Sequence, residues 1–373
     1  MNSIDPIFLA YGALGVMAVL PIYFGSHASI KYPSKKRGAK PEPVAEYFSI
    51  QDAATFPIIG SITLFSLYLL FTYFDKAYIN YVLTAYFSLL GVGAMVESFM
   101  AVARKLTGYS LTGEYRLDLF KKKHALFSLQ FGNIHMVAGA FSILIAGYYA
   151  ITKHWIVSNV YGEAFATSAI QLLNLDSFKT GMLLLTGLFF YDIFWVFGTE
   201  VMVTVAKSFD APIKVLWPKD IWQVIEQGIF SKPTDVQFTM LGLGDIVIPG
   251  IFVALCLSFD HHQYLKSELG QKKKFSRSFP KPYFTACLVS YIVGLTTTVV
   301  VMHTFQAAQP ALLYLSPACI FSVLITAAIR GELADVFAFA PATEESKSPE
   351  AELLEAEAVS NKKLAKGVSK KQQ

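Results

Sequence analysis

The chain alternates between long apolar runs and shorter polar stretches, and this pattern predicts most of its elements. Nine runs have the length that a helix needs to cross a hydrocarbon core of about 30 Å, roughly 17–25 residues. They are residues 4–24, 56–74, 77–103, 134–151, 155–172, 180–206, 237–259, 283–303 and 310–329. The fifth run is the least apolar, because Asn159, Glu163 and Thr167 interrupt it. We therefore predict an all-α polytopic membrane protein with about nine transmembrane helices.

Composition supports this prediction. Of the 373 residues, 54% are hydrophobic and 16% are charged, and the mean hydropathy is +0.46. Soluble domains usually contain about 25% charged residues, so an ordinary soluble domain is excluded. The net charge of +4 gives no indication of nucleic-acid binding. Three cysteines lie inside apolar runs without C-x-x-C spacing, so we expect small buried hydrophobic residues rather than disulfides or a zinc site: Cys256, Cys287 and Cys319.

The distribution of charge predicts how the chain crosses the membrane. The first apolar run has no preceding basic residues and is too long for a cleavable signal peptide, so it is predicted as the first span. If nine spans alternate, most Lys and Arg residues fall on one side, in segments 25–55, 104–133 and 260–282. The positive-inside rule makes that side cytosolic and the N-terminus lumenal. The weak point is segment 207–236 on the other side, which holds Lys207, Lys214, Lys219 and Lys232.

The C-terminal stretch differs in composition from the rest. From residue 331 onward it is rich in Glu, Lys, Ala and Ser, and such a segment buries too little apolar surface to offset its ordering entropy. It is predicted to be a disordered cytosolic tail. Lys370 and Lys371 stand at the fourth and third positions from its end. That placement resembles the di-lysine signal that retains membrane proteins in the endoplasmic reticulum.

Two acids lie inside predicted spans, where an ionised side chain costs about 2.5–3.5 kcal/mol on insertion scales. Asp192 lies near the middle of the sixth span among aromatic residues, and Asp245 lies towards the middle of the seventh. At 1.5 Å per residue, Asp245 is about 12 Å into its span and Asp192 roughly 21 Å from the end of its own. One buried acid is readily satisfied by Ser, Thr or backbone. Two at similar depth on consecutive antiparallel spans indicate a function.

Two facing carboxyl groups suit acid–base hydrolysis. Because they cannot both ionise cheaply, the pair holds one proton. The ionised member can take a proton from a water molecule while the protonated member donates to a peptide carbonyl. This chemistry needs no covalent intermediate, metal or cofactor, and neither acid has His or Cys residues clustered nearby in the sequence.

Two glycines and a proline lie close to Asp245 in the sequence. Gly242 and Gly244 lack side chains beside the acid, which allows close approach either of another helix or of an extended substrate. Pro249 has no N–H for the Asp245 carbonyl, so we expect a local kink. That kink either positions the acid or has no catalytic meaning.

Two further features flank the acids. Tyr191 adjoins the face of the sixth span that carries Asp192, where it either donates a hydrogen bond or simply packs. The tetrapeptide Gln309-Pro310-Ala311-Leu312 opens the ninth span. Proline is favoured in the first turn of a helix, which explains Pro310 but not the whole tetrapeptide.

Three motifs thus occur in order on late spans: Tyr191-Asp192, Gly242-Leu243-Gly244-Asp245 and Pro310-Ala311-Leu312. This ordered set resembles the GxGD family of intramembrane aspartyl proteases, which includes signal peptide peptidase and presenilin. Wider stretches at 190–199, 203–209 and 309–314 are similar to its signal peptide peptidase branch. The resemblance covers roughly residues 150–330, and segment 104–133 is not matched.

The resemblance implies that Asp192 and Asp245 are the catalytic pair, with the site shaped by Tyr191, Gly242, Gly244, Pro310, Ala311 and Leu312. It also implies nine spans with a lumenal N-terminus, in three parts: N-terminal helices 1–154, catalytic helices 155–330 and the tail 331–373. The implied substrates are signal peptides and other type II-oriented transmembrane segments in the endoplasmic reticulum. Relatives of this branch work without accessory subunits and often form homo-oligomers.

Two other functions fit some of the observations. Paired intramembrane acids also occur in ion- or proton-coupled transporters, but the two halves of this chain show no internal repeat of the kind common in transporters. A catalytically silent scaffold that recruits membrane proteins for degradation would not need the intact acids.

Overall fold

The computed structural model describes residues 6–30, 47–107, 115–121, 124–209, 211–228, 236–267, 278–305 and 309–341. Twelve helices run through these stretches. In chain order they are α1 (Pro6–Ser29), α2 (Ile50–Tyr73), α3 (Lys76–Thr107), α4 (Asn133–Thr152), α5 (Trp155–Leu172), α6 (Phe178–Phe197), α7 (Val201–Ser208), α8 (Ile221–Gln227), α9 (Leu243–Lys266), α10 (Pro282–Phe305), α11 (Leu312–Arg330) and α12 (Leu333–Ala338).

The prediction of an all-α polytopic membrane protein is confirmed. Each of the nine predicted runs contains a helix. Within the described ranges, eight of these helices are long and apolar enough to cross a membrane: α1, α2, α3, α4, α6, α9, α10 and α11. The ninth, α5, is a helix of 18 residues that falls short on this measure. It nevertheless buries Tyr161, Ala166 and Ile170 completely.

Helix α9 is the centre of the bundle. It packs against α1, α5, α6, α10 and α11, and most of its length is buried. Where it meets α5 the approach is close, since a Cβ on Gly250 would lie 2.6 Å from the side chain of Ile170. Helices α2, α3 and α4 bury fewer residues and expose large apolar side chains, as expected for helices that face lipid.

Within the described ranges, three two-stranded sheets accompany the helices. β1 (Tyr47–Phe48) pairs in parallel with β4 (Asn174–Leu175), β2 (Tyr115–Lys121) pairs antiparallel with β3 (His124–Phe131), and β5 (Lys214–Pro218) pairs antiparallel with β6 (Phe238–Gly242). None of them was predicted. The β5–β6 hairpin matters for the site, because β6 runs directly into α9.

Two predicted span boundaries are wrong. The sixth span was predicted over 180–206, but α6 ends at Phe197 and the backbone bends before α7. The seventh was predicted from residue 237, but its first apolar residues form β6, and α9 begins only at Leu243. Strand β6 contains the β-branched Thr239 and ends at Gly242, which favours an extended segment over a helix. The depths predicted for the two acids change accordingly.

The sequence predicted a disordered tail from residue 331, but the first residues of this segment are ordered. Gly331 ends α11 in the left-handed conformation, with φ 69°, as is common for glycine after a helix. Helix α12 then folds back and buries Val336. The Phe339 ring packs 5.2 Å from that of Phe259. These apolar contacts order the first residues of the segment, whereas Lys370 and Lys371 lie outside the described residues.

Candidate active site

Asp192 lies five residues before the end of α6 and is 4% exposed. Its Oδ2 accepts a hydrogen bond from the backbone N–H of Leu312, at 3.0 Å. Leu312 is the first residue of α11, and the first N–H groups of a helix have no partner within the helix. The carboxylate of one helix therefore caps the N-terminus of another, a position that favours negative charge.

The residues before Leu312 shape this contact. Pro310, Ala311 and Leu312 are all buried. The Pro310 carbonyl accepts from the N–H of Leu313 at 3.3 Å, and the Ala311 carbonyl accepts from Tyr314 and Leu315 at 3.1 Å. This tight turn occupies the following N–H groups and leaves that of Leu312 for Asp192. The motif thus contacts Asp192 through the N–H of Leu312, and Pro310 and Ala311 form the turn that presents it.

Asp245 is the third residue of α9, directly after β6. The β5–β6 hairpin fixes the approach to it, because Gly242 pairs with Lys214 and the N–H of Leu243 donates to the Ile213 carbonyl at 3.0 Å. The acid therefore lies in the first turn of its helix rather than near mid-span.

The structure places the two acids at neighbouring helix ends. Helices α6 and α9 are antiparallel, since Phe178 at the start of α6 packs 5.6 Å from Phe259 near the end of α9. The end of α6 therefore lies beside the start of α9, where the carboxyl groups of Asp192 and Asp245 are within electrostatic range. The described residues contain no group of three or more His, Cys, Asp or Glu that could hold a metal ion.

The two glycines have different surroundings. A Cβ on Gly244 would meet no atom within 4 Å, so helix packing does not explain this glycine. Gly244 is exposed, and its missing side chain leaves open space one residue from Asp245. A Cβ on Gly242 would lie 3.4 Å from Asp245 Oδ2, so this glycine borders the carboxylate itself.

Tyr191 packs against α2. Its ring lies over Gly60, where a Cβ would come within 3.5 Å of it, and its centroid is 6.3 Å from that of Trp195. Trp195 in turn donates from Nε1 to Ser61 Oγ at 3.0 Å, which fixes α6 to α2. Among the described residues the Tyr191 hydroxyl has no hydrogen-bond partner, so packing accounts for the ring and not for the hydroxyl.

Two residues at the site were not predicted from the sequence. Tyr291 on α10 donates from its hydroxyl to the backbone carbonyl of Asp245 at 3.3 Å. Asn159 on α5 holds strand β5: its Nδ2 donates to the Leu216 carbonyl at 2.6 Å, and its Oδ1 accepts from the Leu216 N–H at 2.7 Å. Two features of the sequence pointed towards these residues. Pro249 indicates that the Asp245 carbonyl lacks a donor, and Asn159 is a polar residue in an apolar run.

Comparison with known proteins gives consistent results. The family model described as signal peptide peptidase matches residues 40–343, which include all three motifs and segment 104–133. The signal peptide peptidase of Mus musculus is 41% identical over 97% of this chain and 92% of its own length. That of Homo sapiens is 39% identical over 99% of this chain and 92% of its own. A probable intramembrane protease of Schizosaccharomyces pombe is 42% identical over 79% of this chain and 84% of its own length. The chain therefore belongs to the signal peptide peptidase family of intramembrane aspartic proteases.

Proposed function

We propose that this protein hydrolyses peptide bonds of transmembrane segments with Asp192 and Asp245 as its catalytic pair. One observation carries the proposal. Both acids lie where the end of α6 meets the start of α9, within electrostatic range of each other, and Asp192 is oriented by the first N–H of α11. Such a pair of carboxyl groups can hold one proton and one water molecule between them.

The pair then works as acid and base together. The ionised carboxylate takes a proton from the water, whose oxygen bonds to the substrate carbonyl carbon, while the other carboxyl group protonates the carbonyl oxygen. In the resulting tetrahedral diol the C–N bond breaks, and the leaving nitrogen takes the proton gained by the first carboxyl group. A diol hydroxyl returns a proton to the second. The products are a carboxylic acid and an amine, and the pair is restored.

The open space at Gly244 suits an extended substrate. A transmembrane helix hides its peptide bonds in internal hydrogen bonds, so it must unwind before it can be cut. Because Gly244 has no atom within 4 Å of its Cβ position, an unwound backbone can lie beside Asp245 without displacing a helix. Strand β6 leads into this place, so the local protein backbone is already extended.

The proposed substrates are signal peptides and other type II-oriented segments in the endoplasmic reticulum membrane, with the N-terminus of this chain lumenal and its C-terminus cytosolic. The distribution of Lys and Arg supports this orientation. Of the four lysines in segment 207–236 on the opposite side, two form local hydrogen bonds. Lys214 Nζ donates to the Phe209 carbonyl at 3.0 Å, and Lys219 Nζ donates to Gln237 Oε1 at 2.8 Å. We propose further that the protein acts without accessory subunits, as a homo-oligomer.

The test is cleavage of a synthetic signal-peptide-like helix by purified protein in detergent, with products identified by mass spectrometry. We expect cuts within the apolar stretch by the wild type, no cuts by Asp245→Asn, and full activity for Glu200→Gln, a nearby exposed acid. An inactive wild type, or equal cleavage by Asp245→Asn, would overturn the proposal. Type II and inverted versions of one helix, co-expressed with the enzyme in cells, then test the orientation; faster cleavage of the inverted helix would contradict it.

A further inference from the structure

The backbone carbonyl of Asp245 lacks its helical partner. In an α-helix each carbonyl accepts from the N–H four residues later, and for Asp245 that residue is Pro249, which has no N–H. A polar group without a partner is costly inside a membrane protein, where water does not replace the missing donor. The proline therefore leaves an acceptor free at the residue that carries a proposed catalytic carboxyl group.

Tyr291 supplies the missing donor from another helix. It lies on α10, its side chain is 0% exposed, and its hydroxyl donates to the Asp245 carbonyl at 3.3 Å. A buried tyrosine hydroxyl itself needs a partner. The freed carbonyl and the buried hydroxyl thus satisfy each other, 46 residues apart in the chain.

We propose that Tyr291 is a positioning residue that holds the backbone at Asp245, and with it the carboxyl group, in place for hydrolysis; this inference rests on the proposed function. The contact is made to the backbone, so it fixes the start of α9 without occupying the carboxyl group. Catalysis is sensitive to such placement, because a displacement of about 1 Å can cost roughly 100-fold in rate.

Helices α10 and α11 together hold both acids. One turn beyond Tyr291, a Cβ on Gly294 would lie 3.2 Å from the Tyr314 carbonyl oxygen, so α10 and α11 are in close contact. Helix α11 holds Asp192 through the N–H of Leu312. Tyr291 from α10 and Leu312 from α11 therefore set the position of one acid relative to the other.

A double-mutant cycle tests this role. Tyr291→Phe removes only the hydroxyl, while Pro249→Ala restores an N–H in helical register with the Asp245 carbonyl. We expect Tyr291→Phe to lower kcat about tenfold with KM changed by less than about twofold. In the Pro249→Ala background the same substitution should lower kcat by less than about threefold, because the helix now supplies the donor. Affinity for a hydroxyl-bearing transition-state mimic should fall in parallel with kcat.

Tyr283→Phe is the matched control. Tyr283 is also buried on α10, eight residues earlier, but its hydroxyl donates to Glu332 Oε2 at 2.8 Å, away from Asp245. We expect it to keep full kcat, and thermal unfolding of each variant separates loss of folding from loss of rate. If Tyr291→Phe lowers kcat equally in both backgrounds, or does not lower it in the wild-type background, the inference is overturned but the proposed function is not. Wild-type cleavage no faster than that of Asp245→Asn would overturn the proposed function and this inference with it.

Discussion

Hydrogen bonds from other helices hold both acids at the site. Asp192 accepts the N–H of Leu312, and the carbonyl of Asp245 accepts the hydroxyl of Tyr291. An ion pair with Lys or Arg would hold a carboxyl group in its charged form, whereas a shared proton requires that one of the two acids stay neutral. The arrangement therefore suits a pair that exchanges roles during each turnover.

Gly244→Ala tests whether the open space beside Asp245 belongs to the substrate. Alanine is the better helix former by about 1 kcal/mol, and its methyl group would meet no protein atom within 4 Å. We expect an unchanged or higher Tm and a fall in cleavage rate of about tenfold, because the methyl group takes space from the substrate backbone. Gly147→Ala on α4, which also faces open space, should likewise give an unchanged or higher Tm but leave the cleavage rate unchanged. Full cleavage by Gly244→Ala would show that no substrate occupies this space.

Glu332 gives a pH dependence outside the membrane-spanning helices. The hydrogen bond from the Arg330 side chain, with a smaller contribution from the Tyr283 hydroxyl, holds the pKa of Glu332 below its usual value of 4.5. A lowered pKa stabilises the folded state above the usual value, and this stabilisation is lost as the pH falls through the lowered pKa. The Tm difference between wild type and Glu332→Gln should therefore be constant above about pH 5 and shrink in more acidic buffer. A difference that grows on acidification would contradict the assignment.

The sequence was most informative about single residues. An acid in an apolar run is conspicuous because insertion is costly, so Asp192 and Asp245 were found without a structure. Tyr291 was not, because its hydroxyl pairs with a backbone carbonyl, and a tyrosine in an apolar run is usually a packing residue. Pro249 indicated that a donor was missing but not which residue supplied it.

At the scale of elements, the apolar pattern predicted the helices but misplaced the end of α6 and the start of α9, which carry the two acids. An apolar run fits a buried helix and a buried strand equally well, so β6 was assigned to the seventh span. Glycine often ends a regular element. Gly198 directly follows the end of α6, and Gly242 directly precedes the start of α9. These corrections move both acids close to helix ends: Asp192 lies near the C-terminal end of α6, and Asp245 lies in the first turn of α9.

Asn159 is one of the three polar residues that interrupt the apolar pattern of α5, and the structure shows what it binds. Its amide pairs with both backbone groups of Leu216, as a neighbouring strand would, and thereby fixes β5 and the hairpin that leads to Asp245. We expect Asn159→Leu, which is close in size, to lower the free energy of unfolding by about 2 kcal/mol, because two partly buried backbone groups of Leu216 lose their partners.

Cleavage by Asn159→Leu should also fall at temperatures where the variant remains folded, as measured by thermal unfolding and initial rates on the same preparation. Val160→Leu, the next residue and 41% exposed, is the control and should change neither quantity. A variant at position 159 with reduced stability but full cleavage rate would show that the hairpin does not control Asp245.

At the scale of the whole molecule, the helices divide into a packed centre and a peripheral layer. Helix α9 is surrounded by α1, α5, α6, α10 and α11, while α2 contacts α6 through Gly60 and Ser61 and exposes much of its own surface. Each of the nine apolar runs was predicted to form a helix, and each contains one. Their arrangement was not predictable, because lipid-facing and buried helices are similarly apolar.

A substrate series tests how such a bundle reaches a peptide bond. Intrahelical hydrogen bonds protect the scissile bond, so helix-weakening residues near the cut should speed cleavage. Replacing them with leucine should slow it by about tenfold, and returning a single glycine should restore most of the rate, because glycine in a helix costs about 1 kcal/mol. Equal cleavage rates across the series, measured at the same substrate concentration, would contradict this mechanism.

The most direct test of the account asks whether the two acids act as one unit. Initial cleavage rates of one substrate are measured for Asp192→Asn, Asp245→Asn and the variant that carries both, each confirmed to be folded by thermal unfolding. Groups that act together are non-additive, so the account predicts that each single variant is as inactive as the double. Cleavage that survives in either single variant, or losses that multiply in the double, would contradict it.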